Sequence, residues 1–148
     1  MRERVEAHGR KRAPQPHVGP ALRQPQAGAD PGEFLCAATQ DGDDWVINGE
    51  KWFASHARFS AFLLVMVVTN PDVPIHEGAS IFLVEQGTPG MEIIRNSAVG
   101  PYIEQGDGVH AYISFKDCRV PAENLLGDEG QGFHVAQTRL GGGRVHHA

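Results

Sequence analysis

The amino-acid sequence predicts a mainly β fold, an antiparallel β-sandwich or flattened barrel that ends in a C-terminal helix. Three observations carry this reading. Short apolar runs separated by turn residues recur from Phe34 onward. His110–Phe115 alternates, with Ala111, Ile113 and Phe115 opposing His110, Tyr112 and Ser114. The intervening turns are short and rich in Gly and Pro, which suits strands in a sandwich better than alternating βαβ units.

In chain order, Phe34–Gln40 reads as a strand that Asp41-Gly42-Asp43 turns back. Trp45-Val46-Ile47 runs into Asn48-Gly49, the strongest short hairpin signal, so Lys51-Trp52-Phe53 is expected on the far side of a second hairpin. Ala61–Val68 is nearly continuous in apolar residues, as in a strand buried on both faces, although a buried helix has the same pattern. Asn70-Pro71-Asp72-Val73-Pro74 stops that run. Ser80–Glu85 is the next strand, and Gly87-Thr88-Pro89-Gly90 turns it into Met91–Arg95. Beyond Pro121, residues 132–137 take helical spacing, with Phe133, Val135, Ala136 and Leu140 available for a packed stripe; Gly141-Gly142-Gly143 weakens the helix beyond them.

The 148 residues suit about one domain, and the 41% hydrophobic content is enough for a core. A net charge of −5 argues against nucleic acid as the main partner. No apolar run is long enough to span a bilayer. Two cysteines, Cys36 and Cys118, make neither a disulfide framework nor a zinc site. A soluble, cytoplasmic unit is expected. The charge is uneven: residues 1–28 hold six basic groups against Glu3 and Glu6, together with Pro14, Pro16, Pro20 and Pro25. The expected organisation is a disordered basic arm over 1–21, a β-domain over 22–127 and the start of a helical region over 128–148.

Local chemistry names no nucleophile, metal or acid–base pair. The eight histidines are scattered, and adjacent His146 and His147 point about 100° apart on a helix. His56 has the chemistry of a base but is more simply a surface histidine at a strand end, and the Asp43-Asp44 pair sits in a turn that it caps or solvates. Gly127-Asp128-Glu129-Gly130-Gln131-Gly132 lacks the Lys of a phosphate loop. Trp52-Phe53-Ala54-Ser55 is more informative, because flat aromatics beside a hydroxyl can wall a planar heterocycle. The competing reading is that Trp52 and Phe53 alternate across a strand, one of them in the core.

Several motifs coincide, however. Asp43-Asp44-Trp45-Val46-Ile47-Asn48-Gly49-Glu50-Lys51-Trp52-Phe53-Ala54-Ser55 resembles the middle β-domain of acyl-CoA dehydrogenases. So do Thr88-Pro89-Gly90, the run Phe115–Gly127 and Gly130-Gln131-Gly132-Phe133, in the same order. Upstream, Gln24–Pro31 is similar to the family's Thr-Glu-Pro-x-Ala-Gly-Ser-Asp-Pro stretch, so the resemblance covers about residues 22–148. The ending Arg139–His147 is similar to eukaryotic members that handle long-chain or hydroxylated acyl-CoAs.

The resemblance implies FAD, an acyl-CoA substrate, an α,β-dehydrogenation and an electron-transfer flavoprotein as acceptor, in a homo-oligomer that is mitochondrial if eukaryotic. By family position, Phe53 lies against the flavin ring, Ala54 brings its backbone near, and Ser55 supplies a hydroxyl. Arg23, Pro25 and Ala29 fall on the cofactor-contacting stretch, and Ala29 and Arg144 are the expected substrate contacts. The departures are Arg23 and Ala29, each in place of a hydroxyl, and Gln24 in place of Glu. The family's catalytic glutamate belongs to a C-terminal helical domain, so no Glu here takes the base role. The expectation is a fragment inactive alone; the alternative is a non-catalytic β-domain that serves as an interaction or small-ligand module without flavin.

Overall fold

The computed structural model describes residues 17–27, 30–97 and 110–138. Its seven strands are β1 (His17–Ala21), β2 (Ala37–Asp41), β3 (Asp44–Ser55), β4 (Ser60–Val68), β5 (Ala79–Glu85), β6 (Met91–Asn96) and β7 (His110–Pro121). They form one sheet in the order β1-β4-β2-β3-β7-β6, with β5 paired to β4. The fold is mainly β and mainly antiparallel, as expected, and the sheet stays open.

Apolar alternation decides which faces meet. Trp45 and Ile47 of β3, Leu63, Val65 and Val67 of β4, Phe82 and Val84 of β5, and Ile113, Phe115 and Val120 of β7 fall in one buried cluster. Trp45 meets Phe82 across it, with ring centroids 5.4 Å apart. The β3/β7 half therefore packs on the β4/β5 half, each strand lending its alternate side chains. Phe82→Ala is accordingly expected to cost about 3–5 kcal/mol, read from the urea midpoint.

Beyond β7 the chain returns to β5. Leu126 N–H donates to Ile81 O at 2.8 Å, and Asn124 Nδ2 to Leu83 O at 2.9 Å. Residues 132–138 are then helical, and Phe133, Val135 and Ala136 pack with Met66, Ala79 and Ile81 in a second cluster. That is the expected stripe, apart from Leu140, which lies outside the described residues. Among the described residues no helix is long and apolar enough to cross a membrane.

Three expectations need correction. The hairpin at Asn48-Gly49 does not exist: β3 runs unbroken through both residues. Instead the β3/β7 register shifts between Ile47 and Gly49, so two steps on β3 face three on β7. Asn48 Oδ1 accepts from Asp117 N at 2.8 Å, Asp117 sits at φ 48° and Gly49 at φ 133°. The backbone freedom that makes Asn-Gly a hairpin signal serves a β-bulge here. Of the two expected turns, Asp41-Gly42-Asp43 is the one that forms a hairpin, with Asp41 opposite Asp44. Second, His17–Ala21, assigned to the arm, form β1 beside β4; residues 1–16 lie outside the described residues. Third, β1 and β2 both pair with β4 in parallel, which short-turn logic did not anticipate.

Candidate functional site

The site is built on a second β-bulge. Lys51 pairs with Ile113 and Ala54 with Ala111, so three steps along β3 match two along β7. Trp52 and Phe53 therefore share the space opposite Tyr112. Phe53 takes φ 52° and His56 takes φ 56°, two left-handed non-glycine residues that bracket Ala54 and Ser55. Such backbone costs of order 1–3 kcal/mol per residue and persists only where packing enforces it.

The bulge changes what the aromatics do. On a regular strand Trp52 and Phe53 would face opposite ways. Here their rings stack on one another, centroids 4.8 Å apart and planes 20° apart, and both are half-buried. Neither joins the core, which rules out the alternation reading. Tyr112 packs edge-on to Trp52 at 6.4 Å, and His110 edge-on to Phe53 at 6.0 Å. The Trp52 indole N–H donates to Ser97 Oγ, which fixes the ring's rotation. Ser55 Oγ lies 3.1 Å from His110 Nδ1, its neighbour across the ladder. One end of β3 and β7 thus presents a stacked aromatic pair with a hydroxyl–imidazole pair beside it.

The segment before β2 is tied to the same stretch. Trp52 N–H donates to Arg23 O at 2.8 Å, and Lys51 Nζ donates to Leu22 O at 3.2 Å. Gln24, buried, accepts from Leu35 N at 2.6 Å and Cys36 N at 3.0 Å through Oε1, while its Nε2 has no partner among the described residues. Lys51 is fully buried, and burial pushes its amine down from 10.5 to about 8.

Of the residues singled out in the sequence, Phe53, Ala54 and Ser55 are consecutive at this site. Arg23 joins them through its backbone, with its side chain exposed and Pro25 half-buried next to it. Ala29 and Arg144 lie outside the described residues. His56 is an exposed turn residue, and Asp44 pairs with Arg119 at 3.4 Å, away from the aromatics. Sequence reasoning missed His110, Tyr112 and Ser97. The available signal for the first two was their place on the outward face of an alternating strand.

Because Phe53 is strained and half-buried, its replacement has an unusual expected outcome. Asn tolerates the left-handed region. Phe53→Asn should leave the urea midpoint within about 1 kcal/mol of the parent, since relief of strain offsets lost stacking, unlike the core Phe82→Ala.

Comparison with known proteins supplies the family. Residues 20–118 match the acyl-CoA dehydrogenase middle domain. The Mycobacterium tuberculosis protein named "Probable acyl-CoA dehydrogenase FadE2" is 43% identical over 123 residues, 82% of this chain and 30% of its own length. Human acyl-CoA dehydrogenase family member 11 is 40% identical over 124 residues, 82% of this chain and 16% of its own length. Among solved structures, the acyl-CoA dehydrogenase from Geobacillus kaustophilus superposes with a TM-score of 0.74 at 33% identity, covering 83% of this chain and 32% of that one. The electron transferring flavoprotein structure of Acidaminococcus fermentans gives a TM-score of 0.75 at 33% identity, covering 86% and 33%. This chain belongs to the acyl-CoA dehydrogenase family. It matches that family's middle domain and spans less than a third of the length of these two curated relatives.

Proposed function

We propose that this chain is the β-domain of an FAD-dependent acyl-CoA dehydrogenase, and that Trp52–Ser55 form one wall of its flavin site. The observation that carries this reading is the bulge at Trp52-Phe53. Strained backbone there holds two aromatic rings together at the sheet end instead of sending one into the core. Stored strain of this kind clusters at ligand sites, and the residues present fit a flat heterocycle. When bound, FAD supplies the two-electron acceptor for α,β-dehydrogenation of an acyl thioester.

The chain's own residues then have distinct tasks. The Trp52/Phe53 pair offers a flat apolar face that excludes water from one side of the cofactor. Ser55 contributes one hydroxyl, Ala54 its backbone, and Arg23, Pro25 and Ala29 the adjoining stretch. By family position, Arg144 and Ala29 are assigned to the acyl-CoA. The carboxylate that removes the α-proton comes from a helical domain, with homo-oligomeric assembly and an electron-transfer flavoprotein as acceptor. General-base catalysis contributes about 10²–10⁴-fold, so one β-domain wall turns over no substrate.

Titration of the purified chain with FAD, followed by flavin fluorescence, tests the reading. Expected are weak, saturable quenching, a loss of about tenfold in affinity in Phe53→Ala, and no dye reduction with acyl-CoA. No saturable quenching at about 1 mM FAD, a concentration that detects binding of only about 4 kcal/mol, contradicts it.

A further inference from the structure

The Ser55–His110 pair is not explained by folding alone. Ser55 and His110 are both half-buried at the end of the β3/β7 ladder, where water could serve either group. Even so, the two are held 3.1 Å apart by backbone strained on both sides of Ser55. His110 is itself fixed: its carbonyl accepts from Ser97 N at 2.8 Å, and its ring packs edge-on to Phe53. Ser97 in turn accepts from Trp52. The same small group of residues therefore sets both the aromatic pair and the imidazole.

A hydroxyl has one hydrogen to donate, and a neutral imidazole carries its hydrogen on either ring nitrogen. With the hydrogen on Nε2, Nδ1 accepts from Ser55, whose only hydrogen is then engaged. With the hydrogen on Nδ1, His110 donates to Ser55 Oγ and the Ser55 hydrogen is free to point at a ligand. The two states differ only in the position of one ring proton, which exchanges through water, so no other reactant is needed.

We infer that His110 is a positioning residue for the flavin: it sets whether Ser55 offers a hydrogen or a lone pair, and oxidised FAD selects the state with hydrogen on Nδ1. This rests on the flavin reading above. In an oxidised flavin N5 and N1, at opposite edges of the ring, each carry a lone pair and no hydrogen, so a hydroxyl that faces either nitrogen serves only as a donor. A fixed donor aimed at such an edge is the arrangement that stabilises charge developing there. His110 acts through Ser55 and needs no contact of its own with the cofactor.

The test uses the full chain with its histidine rings labelled with ¹⁵N, titrated with FAD under air. Expected is a move of the His110 Nδ1 resonance toward the value of a protonated ring nitrogen, absent in Ser55→Ala. His110→Phe, which keeps the edge contact with Phe53, should weaken FAD binding by about 3- to 10-fold, the worth of one hydrogen bond. His110→Asn, which puts an amide near the Nδ1 position, should recover most of it. The double variant Ser55→Ala/His110→Phe should be no weaker than either single variant. An unmoved Nδ1 resonance while FAD shifts the amides of Trp52–Ser55, or additive losses, overturns the inference and leaves the flavin reading intact. Absence of any FAD effect on those amides overturns both.

Discussion

Gly49→Ala is expected to remove a large part of the chain's stability. A Cβ built on Gly49 would lie 2.6 Å from the Cα of Cys36, 2.9 Å from its Cβ and 3.1 Å from its Sγ. The first contact is backbone, so no side-chain rotation relieves it; β2 would have to part from β3. Gly49 also sits at φ 133°, a region that L side chains rarely adopt. The two terms together should exceed about 3 kcal/mol, a large part of a small domain's stability. Gly42→Ala separates them, because Gly42 has φ 66° but nothing within 4 Å of an added Cβ. It should cost only about 1 kcal/mol. Equal urea midpoints for the two variants would show that β2 can yield at the bulge without cost.

The second large effect concerns Lys51, whose replacement by Met should stabilise the chain at neutral pH. The ammonium is fully buried, bonded to Leu22 O at 3.2 Å and 4.8 Å from the centroid of the Phe34 ring. It forms no salt bridge among the described residues. Burial is the main reason its pKa falls from 10.5 to about 8. Each unit is worth about 1.4 kcal/mol, so holding the charge inside costs about 3 kcal/mol at pH 7. Met removes that cost and leaves the Leu22 carbonyl without its donor, worth about 1 kcal/mol, for a net gain of about 2 kcal/mol.

The pH dependence follows from the direction of the shift. Between about 8 and 10.5 the unfolded chain keeps a proton on Lys51 that the folded chain has released. Parental stability therefore rises by about 3 kcal/mol with pH across that window, so the advantage of Lys51→Met passes through zero and the parent ends ahead by about 1 kcal/mol. Cys118 works the other way: burial pushes its thiol from 9.0 up to about 11, so folding retains a proton the unfolded chain loses. That contribution falls between about 9 and 11, but it is common to both proteins and cancels in their difference. A difference that stays constant with pH would mean the amine reaches water. Its retention makes sense at the site: Lys51 anchors Leu22, and the next residue accepts from Trp52 N.

Much of the fold was legible because apolar alternation and turn chemistry are local. β4 and β5 nearly coincide with the expected Ala61–Val68 and Ser80–Glu85, and Asp41-Gly42-Asp43 turns as read. Asn48-Gly49 misled because a tight turn and a bulge make the same local demand for positive φ. Packing on Cys36 and the bond to Asp117, distant in sequence, decide between them. The Trp52/Phe53 stack was half legible: residue types pointed to a ring-binding wall, but period-two alternation hid the bulge that assembles it. The outward place of His110 was legible on its strand, but its pairing was not, since its partner Ser55 lies 55 residues away. β1 was missed for a related reason. Proline is tolerated on an edge strand, and Pro20 lies in one whose parallel partner is β4.

The central claim is that the strained end of β3, with its neighbours on β7, is a flavin wall. Backbone amide shifts of the ¹⁵N-labelled chain during a titration with FAD test it most directly, because they locate binding as well as detect it. The claim predicts saturable shifts concentrated at Trp52–Ser55 and His110–Tyr112, with the Trp52 indole N–H among the largest, and little change at the β2–β3 turn. Shifts centred elsewhere, or none at these amides at about 1 mM FAD, where binding of only about 4 kcal/mol is visible, would contradict it.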